Sequence, residues 1–461
     1  MSRKTNTLII ALGVLVLLSA GYYLSIAKNS KETDYASLPY TPPPKLGNLL
    51  GSELVKMEVN SLTLEKTNER WKLVSLEGKT PPAGIELDQS RLQYMSYSLA
   101  SIWVDQVIDE APPDVSQYGL DNPSYRTSIT DSAGKKVEYL LGNMTPSRNS
   151  YYIMEAGDPK VYTISTYTAE YMQFTLDSIR ERFLFPSFDS SEVIQLRVES
   201  SRFKRIEISL KPETPALDLT GLFSIHSITS PYTRARGIDN EAFGNWLAPL
   251  SDLSIEDFVD DAPSSLKPYG LDDPVRIFLR TKDDSLDLLI GNEVNGRRYA
   301  KLAGAPGVFT LYGMESIVNV KPFTLINKFA LLVYIDWVDH ISINGGEKNL
   351  SVDLRGTGDD ALYYLNGKKA ETNSFKTFYQ AVIGLLVDAE YPGQVRQSDN
   401  SGEVTIEYRL NNPPEERASF SLIPYNRDFY ALKQEGATEF LISRNQVRRI
   451  YETADAMIYT E

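Results

Sequence analysis

Apolar and polar residues alternate in several stretches of the chain after residue 50, and a period of two predicts β strands. The first such stretch, residues 54–76, also contains several β-branched and aromatic residues, which favour strands. Three later stretches, at 150–165, 297–312 and 428–443, each read as a strand, a turn with glycine, and a second strand. The pattern therefore predicts antiparallel strand pairs in three separate parts of the chain.

Three other segments follow the period of a helix. Apolar residues at i, i+3, i+7 and i+10 predict two helices, from Leu92, Met95, Leu99 and Ile102, and from Phe243, Trp246, Leu250 and Leu253. Phe375, Phe378, Val382 and Leu385 predict a third helix within residues 373–393. Asp88 and Asp239 are natural N-caps of the first two helices, and Pro249 is expected to kink or end the second.

The chain repeats itself. Residues 107–123 align without gaps with residues 258–274, and eight of the seventeen positions are identical. The repeated turn motif consists of Tyr118, Gly119, Leu120, Asp121 and Pro123 in the first copy, and of Tyr269, Gly270, Leu271, Asp272 and Pro274 in the second. Residues 137–143 and 286–292 repeat in the same way, each ending in Gly-Asn. A weaker third copy has Glu-Tyr-Arg-Leu-Asn-Asn-Pro at 407–413, ending at Pro413, and this segment is expected to occupy the place of the turn motif.

These copies predict an α+β fold with three tandem modules, at 50–188, 189–332 and 333–461. Each module is expected to be a mainly antiparallel sheet with one or two packed helices. Residues 1–28 predict a signal anchor with a transmembrane helix over about 7–27, because the run is uncharged and long enough to span the hydrocarbon core. A Pro-rich tether is predicted at 29–49. A cleaved signal peptide is the competing interpretation of the N-terminal segment.

Charge and composition exclude several functions. The formal net charge is −14, and since residues 1–28 hold three basic residues and no acid, the rest carries −17, which argues against nucleic-acid binding. The chain has no cysteine, which excludes disulfides, thiolate zinc sites, iron–sulfur clusters and cysteine nucleophiles. The two histidines, His226 and His340, lie in strand-like runs without a second histidine nearby, so we expect no metal site and no cofactor.

The recurring aspartates of the turn motif admit a catalytic and a structural interpretation. Turn chemistry favours the structural one: glycine takes a positive φ, aspartate bonds nearby backbone, and proline starts the next strand. Arg409 and Asn411 replace glycine and aspartate in the third copy, which a catalytic role would not tolerate. Ser-x-x-Lys at 264–267 and the aspartate pairs at 260–261, 283–284 and 359–360 are interpreted as loop residues, and Gly-Asn at 142–143 and 291–292 as turns that follow a strand. We therefore expect no catalytic residue.

The N-terminal apolar segment, the Tyr-Gly-Leu-Asp-x-Pro turns, the strands that end in Gly-Asn and the tyrosine-rich strand pairs resemble the domain-of-unknown-function family 4340. The resemblance is clearest over 88–185 and 239–330. It implies a membrane-anchored bacterial protein, in some members a partner of ABC-type transport systems of the gliding-motility kind. It brings no catalytic residues to carry over.

The sequence therefore predicts a non-enzymatic scaffold or accessory protein, attached to the plasma membrane through residues 7–27. The N-terminus is expected in the cytoplasm and most of the chain outside it. Protein partners in a membrane complex are expected, with ABC transporter components among the candidates. Binding of a cell-wall glycan or another extracellular ligand is the alternative, since the chain has 28 tyrosines, and a carboxylate-dependent hydrolase is a remote one.

Overall fold

In the computed structural model, residues 44–210, 224–393, 402–411 and 417–461 are described, and antiparallel strand pairs dominate them. Their contacts divide the chain into two compact units. The first unit runs to residue 72 and continues over 90–174, and the second comprises 73–89 and 175–461.

The described elements up to residue 170 are ten strands and two α-helices. They are β1 (Lys45–Leu46), β2 (Leu54–Val59), β3 (Leu62–Thr67), β4 (Arg70–Leu76), α1 (Gln89–Ala100), β5 (Ile102–Trp103), β6 (Gln106–Asp109), β7 (Tyr125–Asp131), β8 (Lys136–Met144), β9 (Ser150–Glu155), β10 (Val161–Ser165) and α2 (Thr166–Glu170). Eight strands form one sheet in the order β4-β3-β2-β7-β8-β9-β10-β6, and β1 pairs with β5 in a separate two-stranded sheet.

The remaining elements all lie in the second unit. The first group is α3 (Leu176–Ile179), β11 (Phe183–Phe185), β12 (Gln195–Ser200), β13 (Phe203–Leu210), β14 (His226–Ser230), β15 (Arg236–Gly237), α4 (Asn240–Leu247), β16 (Leu253–Ser254), β17 (Phe258–Asp260), β18 (Val275–Arg280), β19 (Ser285–Val294), β20 (Arg297–Leu302), β21 (Val308–Tyr312), α5 (Glu315–Val318) and α6 (Pro322–Leu325). The second group is β22 (Val338–Gly345), β23 (Leu350–Arg355), β24 (Leu362–Leu365), β25 (Lys368–Lys369), α7 (Thr372–Ile383), β26 (Ala389–Glu390), β27 (Val404–Leu410), β28 (Arg417–Pro424), β29 (Phe429–Gln434), β30 (Ala437–Ser443) and α8 (Arg444–Asp455).

The second unit contains two nine-stranded sheets. Their orders are β15-β14-β13-β12-β18-β19-β20-β21-β17 and β25-β24-β23-β22-β27-β28-β29-β30-β26. Both match the order of the eight-stranded sheet, except for the additional two-residue strand at one edge, β15 or β25. β11 and β16 form a small separate pair. We call the three large sheets the first, second and third sheet.

The local sequence explains many of these elements. Asn295 and Gly296 join β19 to β20 with φ values of 51° and 75°, the conformation that favours a two-residue hairpin turn. The Asp239 side chain caps α4 by accepting a hydrogen bond from the Ala242 amide at 3.0 Å. A continuous apolar core fills the second unit, with Phe243 of α4 and Phe375 of α7 fully buried within it.

Several predictions are confirmed. The three predicted strand pairs are present as β9–β10, β20–β21 and β29–β30. The predicted helices correspond to α1, α4 and α7, and α4 ends at Leu247, where a short 3₁₀ turn containing Pro249 follows. Proline cannot continue an α-helix because it lacks the amide hydrogen and its ring clashes with the preceding turn.

The predicted fold class is wrong. The described residues form five mostly antiparallel sheets with few and short helices, so strands dominate where an α+β fold with an N-terminal transmembrane helix was expected. Among the described residues, no helix is both long enough and apolar enough to cross a membrane. The predicted helix over 7–27 lies outside these residues, as does most of the predicted tether. The last tether residues instead form β1, because Leu46 is buried against the first unit. The three-module boundaries stay a prediction.

Candidate functional site

Helix α1 presents two tyrosines on the face opposite to its core residues. Leu92, Met95 and Leu99 are buried, whereas the side chains of Tyr94 and Tyr97 are 56% and 51% exposed. Residues three apart lie on the same side of a helix, so both rings belong to one exposed strip. Large aromatic side chains normally gain stability from burial, and two together on a surface indicate a contact region.

A second pair of tyrosines follows β10. The Ser165 hydroxyl accepts a hydrogen bond from the Thr168 amide at 3.1 Å and so starts helix α2. The ring centroid of Tyr171 lies 5.5 Å from that of Tyr94 and 5.5 Å from that of Tyr167, which is 61% exposed. The Tyr171 hydroxyl donates a hydrogen bond to the Tyr167 hydroxyl at 2.7 Å. We call this cluster the tyrosine patch: Tyr94, Tyr97, Tyr167 and Tyr171.

Three hydroxyls of the patch, those of Tyr94, Tyr167 and Tyr171, form one hydrogen-bonded system. Burial raises the pKa of Tyr171, and hydrogen bonds with Tyr167 and Tyr94 raise it further. Hydrogen bonds with Tyr171 and Tyr94 lower the pKa of Tyr167, because a phenolate there would accept them. The patch therefore offers aromatic surface together with donors and acceptors on the same rings, which suits a protein interface or the face of a sugar.

The repeated turn motif forms a tight turn in both of its first two copies. Gly119 and Gly270 have φ values of 70° and 65°, as predicted, and each ends a short 3₁₀ helix. Leu120 and Leu271, which follow the glycines, are buried. The aspartate and the proline of each motif lie just before a strand. Asp121 and Pro123 precede β7, and Asp272 and Pro274 precede β18.

A second pair of glycines makes room for these turns. A Cβ atom at Gly142 would lie 2.2 Å from the carbonyl oxygen of Tyr118, and one at Gly291 would lie 2.1 Å from that of Tyr269. Both glycines lie inside strands, in β8 and β19, where the pairing with the next strand shifts register. The prediction of a turn after the strand is therefore wrong, because the chain continues through Gly-Asn as a β-bulge. We call the turn with its facing glycine the turn–glycine contact.

An aspartate holds the tyrosine of each turn. The Tyr118 hydroxyl donates to Asp109 Oδ2 at 3.4 Å, and the Tyr269 hydroxyl donates to Asp260 Oδ2 at 2.9 Å. Each aspartate also accepts a hydrogen bond from the backbone amide two residues on. The hydrogen bond to Asp260 raises the pKa of Tyr269, whereas burial is the main cause of the raised pKa of Tyr118. These contacts give Asp109 and Asp260 a structural role.

The third copy does not place its segment in the same position. Tyr408, Arg409 and Leu410 lie in β27, the strand that corresponds to β7 and β18, and Tyr408 is fully buried. The expected alignment with the turn motif is therefore wrong, since alternating Tyr-x-Leu residues suit a strand as well as the edge of a turn. Pro413 lies outside the described residues.

The other candidates from the sequence have structural contacts. The His226 Nε2 atom donates to the Val193 carbonyl oxygen at 2.7 Å in a buried position, and His340 Nδ1 lies 2.8 Å from Asp353 Oδ1. The Ser265 hydroxyl of the Ser-x-x-Lys segment accepts from the Lys267 amide at 3.3 Å, a local turn contact. In the part of the chain that the structure describes, no three His, Asp or Glu side chains gather as metal ligands would.

Sequence reasoning did not single out the tyrosine patch. The tyrosine count pointed to aromatic surfaces, but Tyr94 and Tyr97 could have been located only by noting that they lie opposite the apolar stripe of α1. Many other tyrosines fill the cores, among them Tyr139, Tyr379 and Tyr408.

Comparison with known proteins gives one match. A family with the description Domain of unknown function (DUF4340) matches residues 71–259 and 227–401, which together span more than half of the chain. No curated protein and no solved structure matches the chain.

Proposed function

The chain belongs to the Domain of unknown function (DUF4340) family, and from that membership we propose that it is a non-enzymatic accessory or scaffold protein of a membrane complex. In this proposal, residues 7–27 associate with the plasma membrane, and most of the chain lies on the extracytoplasmic side. An ABC-type transport complex of the gliding-motility kind is the proposed partner, which follows from the family resemblance given above.

The observation that carries the proposal is the tyrosine patch. Tyrosine is enriched at the centres of protein interfaces, because its rigid ring covers apolar area while its hydroxyl bonds the partner. The patch is built on α1 and α2, two helices that are held by buried residues and by a cap, so its rings are presented by ordered elements. The histidines are consistent with this role, since His226 Nε2 and His340 Nδ1 each make a contact within the fold.

The test compares partner recovery from membranes. The full-length chain and a variant with Tyr94→Ser, Tyr97→Ser and Tyr167→Ser are crosslinked in cells and purified from solubilised membranes. We expect the wild type to retain a transport ATPase or permease and the triple variant to retain at least about tenfold less, because loss of interface aromatics removes most of the binding energy.

A matched control replaces exposed tyrosines elsewhere. Tyr312 and Tyr459 are 70% and 43% exposed and lie far along the chain from the patch, and their serine variants are expected to retain the partner as the wild type does. Equal recovery with the patch variant and the wild type would remove the patch from the proposal. A chain that stays monomeric after gentle extraction would overturn the accessory role itself.

Binding of a cell-wall glycan is the second candidate, because ring faces and hydroxyls occur together in the patch. Its test is retention of the full-length chain on purified peptidoglycan. Retention that disappears in the triple variant would favour the glycan, and a chain that elutes without delay would eliminate it.

A further inference from the structure

The second and third sheets meet at a joint inside the second unit. Phe440 of β30, in the third sheet, packs there against three side chains from the side of the second sheet. Its ring centroid lies 5.0 Å from that of Tyr232, 6.0 Å from that of Phe323 and 4.6 Å from the guanidinium carbon of Arg236. The Tyr232 hydroxyl also crosses the joint and donates to Glu390 Oε1 of β26 at 2.7 Å. The joint therefore combines aromatic contacts with charged groups.

Lys328 lies on the segment of chain that connects the two sheets. Its carbonyl oxygen accepts a hydrogen bond from the Val387 amide at 2.8 Å, just before β26, and the backbone of Phe329 forms a bridge with Leu386. Its side chain contacts α6, where the Nζ atom lies 3.2 Å from the ring centroid of Phe323. Lys328 is thus bonded through its backbone to the edge of the third sheet and packs through its side chain on the helix that follows the second sheet.

The amine of Lys328 is buried without a hydrogen-bond acceptor. The residue as a whole is partly exposed, but its Nζ atom is buried and has no hydrogen-bond partner among the described residues. The face of the Phe323 ring attracts a cation, yet a ring replaces only part of the hydration that an ammonium group loses on burial. The protonated amine therefore costs stability at this position, and the neutral amine costs less.

The acidic groups around the joint are bonded elsewhere. Glu390 holds the Tyr232 hydroxyl, Asp239 caps α4, and Glu439 of β30 accepts a hydrogen bond from a backbone amide of the loop before β15. Burial lowers the pKa of Lys328 to about 8, because it outweighs the charges of Glu390 and Asp239, which favour the ammonium form. The charged or titratable side chains around this amine thus include Tyr232, Arg236, Asp239, Glu390 and Glu439.

We propose that Lys328 makes the joint between the second and third sheets sensitive to pH, since the ammonium form loosens the joint and the neutral amine tightens it. Opening returns the amine to water, where its pKa is 10.5, so between about pH 8 and 10.5 the opened joint binds more protons than the closed one. The closed joint therefore gains stability as the pH rises through this window. This device lies within the fold and does not require the partner of the proposed function.

The test is hydrogen exchange of the full-length chain, followed by mass spectrometry at two pH values and corrected for the intrinsic exchange rates at each. Peptides that cover residues 231–237 and 385–391 report on the joint. We expect their protection to rise about tenfold from about pH 7 to about pH 9 in the wild type, because the opened joint loses most of its excess of bound protons over this range.

Two lysine variants form a matched pair. Lys328→Met keeps an unbranched side chain but removes the charge, so we expect higher protection of the joint than in the wild type at neutral pH and a change within about twofold on raising the pH. Lys282 is exposed in the turn between β18 and β19, and Lys282→Met should keep the rise seen in the wild type. A rise of about tenfold that persists in Lys328→Met would assign the pH response to other groups and overturn the proposal.

A third variant keeps the charge at every pH. Arginine stays protonated over this range, so the protection of the joint in Lys328→Arg should not rise with pH. If Lys328→Met does not fold, Lys328→Arg decides, and a rise like that of the wild type overturns the proposal. Equal protection of the wild-type joint at both pH values overturns it as well. None of these measurements needs a membrane partner, so their failure leaves the crosslinking test of the tyrosine patch intact.

Discussion

The second and third sheets share one strand order, but one position of an inner strand is glycine in the second sheet and isoleucine in the third. In each sheet the position is the one that follows the first residue pair between the two central strands. It is occupied by Gly142 of β8 in the first sheet, by Gly291 of β19 in the second and by Ile423 of β28 in the third. β19 shifts register after this position, whereas β28 pairs with β29 without interruption through Ile423. The strand itself does not require glycine. Glycine is required where the Tyr-Gly-Leu turn passes over the strand, so turn and glycine form one unit.

The largest expected effect follows from this contact. Gly291→Ala and Gly142→Ala place a Cβ atom about 2 Å from a backbone oxygen, which cannot rotate away, and we expect each to lower the free energy of unfolding by about 3 kcal/mol or more. Urea denaturation, with hydrogen exchange to locate the change, measures this. Gly304→Ala, which has open space, is the control and should change stability by less than about 0.5 kcal/mol. A loss below about 1 kcal/mol in both variants would refute the contact.

The glycine of the turn should be the next most sensitive position. Gly270→Ala forces alanine to a φ of 65° and brings its Cβ within 2.4 Å of the Asn292 side chain, which can move aside. We expect a loss of about 1–3 kcal/mol from backbone strain and displacement, and the same for Gly119→Ala. Gly296→Ala has a φ of 75° and open space, so it isolates the strain, expected at about 1 kcal/mol. Equal losses in all three variants would mean that the asparagine contact contributes nothing.

Acid should distinguish the first sheet from the other two. In the first sheet Glu58 of β2 lies opposite Ser128 of β7. The register of the other two sheets places Arg197 of β12 and Ser342 of β22 at the position that corresponds to Glu58. Burial alone would raise the pKa of Glu58, but hydrogen bonds from Ser128, Lys56 and Lys136 outweigh it and lower the pKa to about 2.

The pKa of Glu58 in the folded state is thus below its unfolded value. The stability that the ionised Glu58 contributes is therefore complete above pH 4.5 and is lost as the pH falls toward 2. We expect faster hydrogen exchange in the first sheet over that range, corresponding to a loss on the order of 1 kcal/mol after solvent screening. Glu58→Gln should remove this part of the pH dependence. An unchanged pH profile in that variant would assign the acid response to other groups.

The smallest predicted difference concerns the phenol of each turn. The Tyr269 hydroxyl lies 2.9 Å from its aspartate and the Tyr118 hydroxyl 3.4 Å from its own, so the former hydrogen bond should be stronger. We expect Tyr269→Phe to lower the free energy of unfolding by about 1 kcal/mol and Tyr118→Phe by less than about 0.5 kcal/mol. The two variants serve as each other's control, and the reverse order of the two losses would contradict the geometry.

The sequence predicted what depends on local pattern. Alternation located the strand pairs at 150–165, 297–312 and 428–443, and Pro249 correctly ended α4. Positive φ at Gly119 and Gly270 followed from turn chemistry. The predicted fold class gave the helices too much weight, because the helices are few and short compared with the strands.

What depends on contacts distant in sequence could not be predicted. The facing of Gly142 and Tyr118 is set by how the turn crosses β8, so Gly-Asn was mistaken for a turn. Tyr408 resembles the motif tyrosines in sequence, but the pairing of β27 with β22 places it inside a strand.

β1 has a mechanical consequence. Its two residues pair with β5, and the backbone bonds from the Val104 amide to Pro44 and from the Leu49 amide to Ala100 flank this pair. A force applied to the chain at residue 44 therefore meets this short pair before it reaches the eight-stranded sheet. Few hydrogen bonds resist the force there, so β1 would separate from β5 at low tension and release a few residues of chain while the first sheet stays intact. We therefore expect the N-terminal end of the first unit to open under tension before the first sheet does.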